Sequence, residues 1–394
     1  MVWLYAPESI AESVRSLSMT TEADLADLPA AARRVLAADA PAPLRLMAAR
    51  GVLPGLKPGD IVQVVAALTD SDDPKLAETA QATFANLPPP LLNGALVVDL
   101  PASVVDKLGR AYPNRHELIE QLLRMPRIGQ DTLEYIASIA DERSGELIAT
   151  NERLMLQHPT VIEKLYMNKR VRMSTADRLI ELAVRHNLEL GIPAYREASL
   201  AIKNELIAEP SEEPTYDDVV FSEITRRAEQ TELGENEDTH ELDDEGEERV
   251  RERFRPLHAI IGELTVTQKI RRAMLGSSAE RLLLVRDANR LVAQAAVKSP
   301  LMKENEAMQI SASRAVSEDV LRTIAQSREF TRHYQVKLNL VGNPRTPLTF
   351  AARLLPHLRD SDVRILAKSK NVSGAIAQAA QQTLSRKTSG GKKR

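Results

Sequence analysis

The side chains with most chemistry to offer lie in the last third of the chain. Arg271, Arg272, Arg286, Arg290, Arg322, Arg328, Arg332, Lys337, Arg345, Arg364, Lys368 and Lys370 recur through successive helical patterns. Guanidinium and ammonium groups donate to carboxylate and phosphate oxygens. A stripe of them binds anions in a salt-sensitive, sequence-tolerant way. Aromatic residues make up only 3% of the chain. Phe330 and Tyr334 lie in the same region, but that is too few for a platform that stacks single-stranded bases. Three occupants fit such a basic region: the acidic surface of a protein partner, the phosphates of a nucleic acid, or an acidic segment of the chain itself.

The third option has a source. Residues 208–248 hold 2 basic and 17 acidic residues, net −15, whereas residues 249–394 hold 28 and 11, net +17. Residues 1–207 hold 22 and 27, net −5. A short flexible tether gives its ends an effective concentration on the order of millimolar. The acidic segment is therefore expected to compete with any anionic ligand, most strongly at low salt. Like charges crowd together in 208–248 and apolar residues are scarce, so the stretch reads as a disordered linker. The island Val219-Val220-Phe221-Ser222-Glu223-Ile224 interrupts it and reads as a short helix or a docking motif.

Elsewhere the residues do not assemble a reaction centre. The chain has no cysteine, which removes disulfides, thiolate metal sites and a cysteine nucleophile. The histidines are His116, His158, His186, His240, His258, His333 and His357. None is spaced four residues from another, as the helical zinc-hydrolase motif requires. His158 precedes Pro159 and His357 follows Pro356, which places both at helix boundaries. The loop from Leu53 to Asp60 carries glycines but lacks the Gly-Lys-Ser/Thr ending of a phosphate loop. Gly276-Ser277-Ser278 reads as a turn, with anion binding at the next helix start as the alternative. The carboxylate pairs of the acidic stretch have no rigid scaffold to aim them. The expectation is a non-enzymatic binding or scaffold protein with no catalytic residue, no metal and no cofactor.

The elements that position the basic residues are helices. Ser317-Glu318-Asp319-Val320-Leu321, Thr346-Pro347-Leu348-Thr349-Phe350 and Ser373-Gly374-Ala375-Ile376 each place a hydroxyl residue before an apolar helical pattern. These starts fall 29 and 27 residues apart, with a second helix inside each interval. One interval carries Tyr334, Val336, Leu338, Leu340 and Val341, the other Val363, Ile365 and Leu366. A two-helix unit repeated at that length predicts a stacked array. The first half repeats the grammar. Residues 1–40 carry Leu25, Leu28, Ala31, Val35 and Leu36 at helical spacing. Asp73-Pro74 reads as an N-cap followed by proline at the first helical position. Pro101, Asp131 and Pro159-Thr160 open further helices, and Ser174 with Asp177 reads as a capping pair.

The fold class expected is all-α, an α-solenoid in two modules. Residues 1–207 form the first, 208–248 the acidic linker, 249–385 the basic second module and 386–394 a basic flexible tail. Hydropathy predicts no membrane insertion, and the first residues lack the basic lead and apolar core of a secretory signal, which points to the cytoplasm.

The phrase Asn343-Pro344-Arg345-Thr346-Pro347, a leucine-rich helix and then Asp360-Ser361-Asp362-Val363-Arg364 resemble HEAT-type and leucine-rich-repeat-variant helical repeats. Lys368-Ser369-Lys370-Asn371-Val372-Ser373 repeats the turn without its prolines. The C-terminal region is also similar to an uncharacterised bacterial helical-repeat family. The resemblance covers about residues 280–385 and, more weakly, 40–190. It implies a surface for binding macromolecules. DNA glycosylases built from HEAT-like repeats exist, but their kind of pocket needs aromatic side chains on a concave face, and the one tryptophan here is Trp3.

Overall fold

The computed structural model describes residues 28–390 except 38, 114, 204, 206, 208, 231–236 and 244. Trp3 and Leu25 lie outside the described residues. Among the described residues the regular structure is helical apart from one small hairpin, and the chain divides into two compact units at Thr175/Ala176.

Among the described residues the first unit contains eleven helices: α1 (Ala30–Leu36), α2 (Ala42–Ala49), α3 (Pro58–Leu68), α4 (Pro74–Ala85), α5 (Pro89–Ala95), α6 (Ala102–Ala111), α7 (His116–Leu122), α8 (Gln130–Ile139), α9 (Glu142–Ala149), α10 (Glu152–Gln157) and α11 (Pro159–Met167). Their starts follow local chemistry. Asp73 accepts from the Lys75 N–H with Pro74 at the first helical position. Asp141 and Asn151 cap α9 and α10 through the N–H groups of Ser144 and Leu154. Each satisfies a donor that the helix geometry leaves open. Alternate helices are neighbours: α1 lies on α3, α3 on α5, α6 on α8 and α8 on α11, while α7 lies on α9 and α9 on α11. Val64, Val65, Val104, Leu108, Ile119, Leu133, Ile136, Ile162 and Leu165 fill the interior. Complete burial stabilises each such side chain by about 1.5–3 kcal/mol. Lys107 is buried among them. Its ammonium donates to Ala66 O at 2.8 Å, Thr69 Oγ1 at 3.0 Å and Asp70 Oδ2 at 2.6 Å, so a cation closes the C-terminal end of α3.

Helix α12 (Met173–Arg185) carries the chain across the division. It begins ahead of Ser174, so Ser174 and Asp177 lie within the helix and do not flank its start. The second unit continues with α13 (Tyr195–Ile202), α14 (Tyr216–Gln230), the antiparallel strands β1 (His240–Leu242) and β2 (Glu248–Val250), then α15 (Arg255–Glu263), α16 (Val266–Leu275), α17 (Ser278–Leu284), α18 (Arg290–Val297), α19 (Glu304–Ala312), α20 (Glu318–Gln326), α21 (Tyr334–Gly342), α22 (Leu348–Leu354), α23 (Asp360–Lys368) and α24 (Gly374–Gly390). Two rows alternate. In one, α13, α16, α18, α20, α22 and α24 contact one another in turn. In the other, α15, α17, α19 and α21 do so. Helix α13 rests on α16 and α18, so residues up to Ile202 pack with the second unit. This is why the division falls ahead of 207, where the charge pattern placed it.

One hydrogen-bonded device recurs in both units. Asn168, after α11, donates from Nδ2 to Ala137 O at 3.0 Å and Ala140 O at 2.8 Å, and accepts from Arg170 N at 2.9 Å. Asn343, after α21, donates to Ser311 O at 3.0 Å and Ser313 O at 2.7 Å, and accepts from Arg345 N at 3.0 Å. Both side chains are buried. Each ties a turn to the end of a helix about one repeat earlier, supplying carbonyls that the helix end leaves without partners.

The expectation for the acidic stretch needs correction. The acidic stretch 208–248 contains α14 and a hairpin, and is not uniformly disordered. Phe221 and Ile224 of the apolar island are buried on one face of α14. That burial supplies what composition alone suggested was lacking. In the hairpin, His240 faces Val250 and Leu242 faces Glu248. Gly246 closes its turn at φ 81°, a conformation that favours glycine. Helix α24 extends to Gly390, into the stretch 386–394 read from the sequence as a basic tail. Residues 391–394 lie outside the described residues.

Candidate binding surface

The twelve basic residues fall into three groups. Arg271 and Arg272 are interior: they are 0% and 2% exposed and flank the Phe221 ring, with guanidinium carbons 5.1 and 5.3 Å from its centroid. Arg272 also pairs in bidentate fashion with buried Glu280, at 2.8 and 2.5 Å, and donates to Thr225 Oγ1 at 2.6 Å. Arg286 joins this group, its Nε 2.9 Å from a Glu248 carboxylate oxygen. These three are corrections to the expected anion-binding stripe, because the chain's own acidic and aromatic groups already engage them. Arg290 and Arg322 form surface pairs, the first with Asp319 at 2.5 Å, the second with Glu318 at 2.7 Å and Asp319 at 2.8 Å. Arg328, Arg332, Arg345, Arg364, Lys368 and Lys370 are exposed, and Lys337 is half-buried. Among the described residues no ion pair ties these seven to a carboxylate. All seven lie between 328 and 370, so the uncompensated charge concentrates in the last repeats.

The same region contains a groove of about 870 Å³. The three hydroxyl-led helix starts line it together, through Ser317 before α20, Thr346 and Pro347 before α22, and Ser373 before α24. Pro344, Leu348 and Phe350 give it an apolar wall, and Leu348 is half-exposed. Arg322 and Arg345 stand along it. Arg345 donates to the carbonyls of Ala315 and Val316, both at 3.4 Å. The hydroxyls of Ser317 and Thr346 have no hydrogen-bond partner, which is rare for buried polar atoms.

The Gly276-Ser277-Ser278 stretch is a capped turn. Ser277 and Glu280 form a reciprocal capping box, and Glu280 Oε2 accepts from Ser277 N at 2.7 Å. The anion at that helix start is therefore the chain's own carboxylate. A Cβ on Gly276 would come within 2.5 Å of both Arg272 O and Glu280 Oε2, so the close approach requires glycine. Arg281 makes a second buried bidentate pair with Glu306, at 2.8 and 2.7 Å. The histidines are dispersed. His158 joins α10 to α11 and His357 sits in a single 3₁₀ turn. His116 approaches Asp141 at 2.7 Å, and His333 pairs with Glu304. Among the described residues no three His, Cys, Asp or Glu side chains are arranged to hold a metal, and no helix is long and apolar enough to cross a membrane.

The hairpin rests on the rows of the second unit. Glu248 accepts from Arg286, from Ser313 Oγ at 2.8 Å and from Arg314 N at 3.0 Å. Gln309 donates to Glu237 O at 2.8 Å, and Arg253 pairs with Glu237 at 2.5 Å. Burial, with the positive charges of Arg286 and His258 adding to it against Glu248, lowers His240 from 6.5 to about 4. For Glu248, burial would raise the carboxyl, but Arg286, Ser313 and Arg314 outweigh it and hold it low. Both shifts act in the same direction. The unfolded hairpin takes up protons before the folded one as pH falls, so folded stability drops. Hydrogen exchange of the hairpin amides, corrected for intrinsic rates, is expected to show protection that declines from about pH 6.5 towards pH 4. His240→Gln should remove the upper part of that decline.

Comparison of the chain with protein-family models, with curated proteins and with solved structures returned no match.

Proposed function

We propose that the chain is a non-enzymatic binding protein, an α-solenoid of HEAT-like repeats whose last repeats take an acidic segment of a protein partner. The alternating helix rows and the recurrent asparagine bridge support the solenoid reading, because stacked repeats reuse equivalent contacts. The groove carries the functional reading. Its apolar wall suits a partner's apolar side chains, and Arg322 and Arg345, with the uncompensated charge nearby, favour carboxylates beside them. Two hydroxyls without partners add polar atoms that can engage a ligand after a rotamer change. The absence of cysteine suits a reducing compartment, so we place the protein in the cytoplasm.

A second reading rests on the seven uncompensated basic residues: direct contact with nucleic acid phosphates. Full-length protein carrying Leu348→Asp and Arg345→Glu separates the two. On the first reading, binding of an acidic, apolar-flanked peptide falls at least about tenfold, roughly the worth of one buried apolar contact and one charge contact. Thermal stability should change little, because Leu348 is exposed and the two Arg345 bonds to Ala315 O and Val316 O are long, at 3.4 Å. On the second, duplex or single-stranded nucleic acid binds with affinity that falls steeply with salt, and Leu348→Asp alone has little effect. Absence of peptide binding by the wild-type chain removes the first reading.

A further inference from the structure

We infer that Arg286, Ser313 and the Arg314 backbone form a carboxylate-binding notch, and that the chain's own hairpin occupies it in place of an acidic segment from a partner protein. The notch consists of donors. Arg286 Nε lies 2.9 Å from Glu248 Oε2, Ser313 Oγ is 2.8 Å from both carboxylate oxygens, and Arg314 N is 3.0 Å from Oε1. The guanidinium is itself held, since Arg286 Nη1 donates to Leu282 O at 2.7 Å. A largely buried guanidinium, a hydroxyl and a backbone N–H converging on one carboxylate give both charge and direction, which a surface ion pair lacks.

The occupant is built to be exchanged. Its strands are three residues long, and a two-stranded hairpin of that size has little stability of its own. Leu242 on β1 is 70% exposed, so the hairpin leaves apolar surface uncovered while its acidic side chain is bound. The neighbouring Glu241, Glu245 and Glu247 make its chemistry that of an acidic extended peptide. A partner segment of the same chemistry would meet the same donors. The intramolecular occupant has the advantage of its tether, so exchange requires a partner that binds tightly or that is itself held close by the groove. The notch is separate from that groove, and either can fail without the other.

The test uses full-length protein and a fluorescent peptide with the sequence of residues 239–250. Wild type should bind it weakly. Glu248→Ala, which empties the notch, should bind it at least about tenfold more tightly, since the tethered competitor has lost its anchor. Adding Arg286→Ala should abolish that gain, whereas adding Leu348→Asp should leave it intact. Where Arg286→Ala lowers stability, a peptide carrying Gln at the position of Glu248 replaces it, and should bind Glu248→Ala at least about tenfold more weakly than the parent peptide. Equal affinity of wild type and Glu248→Ala overturns the proposal. So does no binding by Glu248→Ala, or binding indifferent to the Gln replacement. Concentration-dependent dimerisation of Glu248→Ala in place of peptide capture would make the occupant a second copy of the chain, and would overturn the assignment to a partner protein.

Discussion

Glu280→Ala should destabilise the second unit by about 3–5 kcal/mol, the range for removing one partner of a buried ion pair. The carboxylate is 0% exposed and receives two bonds from Arg272 and one from Ser277 N. Its removal strands a guanidinium that is 2% exposed and dismantles the capping box of α17. The loss should also spread to α14, because Arg272 carries the bond to Thr225 and one of the two guanidinium contacts on Phe221. Amides across 216–227 should therefore exchange faster in the variant. The double replacement Arg272→Met with Glu280→Leu should recover most of the stability, since well-packed apolar side chains avoid the desolvation cost of both charges. A double variant no better than Glu280→Ala would mean that geometry, and not an orphaned charge, sets the cost. Because the chain has two compact units, the unfolding readout must report on the second unit alone.

Asn343→Ala should cost about 2–5 kcal/mol, and Asn168→Ala a similar amount in the first unit, estimated from about 1–3 kcal/mol per buried polar group left unpaired. Each asparagine satisfies two carbonyls and one N–H. Aspartate keeps the acceptor for the N–H two residues on but turns an oxygen towards two carbonyl oxygens, so Asn343→Asp should be no better than alanine. Chemical denaturation of each unit, followed by hydrogen exchange, gives the comparison. A large loss at one position and none at the other would show that the two bridges are not equivalent.

The helix starts were legible because their chemistry is local. Asp73-Pro74, Ser317, Thr346-Pro347 and Ser373 each announce a helix within three residues, and each helix begins there. The buried arginines were not legible. Arg272 is neutralised by Glu280 eight residues on, and Arg286 by Glu248 from 38 residues earlier. Repeat-wide charge patterning cannot distinguish them from the exposed Arg364 or Lys368. In the acidic stretch, net charge outweighed the signal of the island around Phe221 and Ile224, whose burial depends on arginines far along the chain. The asparagine bridge left a trace that spacing could have found. Asn168-Lys169-Arg170 and Asn343-Pro344-Arg345 share an Asn-x-Arg phrase at the same place after a helix. The groove arises only when three starts, each readable alone, come together in space.

Selection of random displayed peptides on immobilised full-length protein, at a salt concentration on the order of 0.1 M where long-range charge attraction is screened, tests most directly whether the last repeats recognise an acidic protein segment. Peptides combining acidic with apolar residues should be enriched on the wild-type chain and lost on the Leu348→Asp, Arg345→Glu variant. Equal enrichment on both, or none on either, would contradict the account.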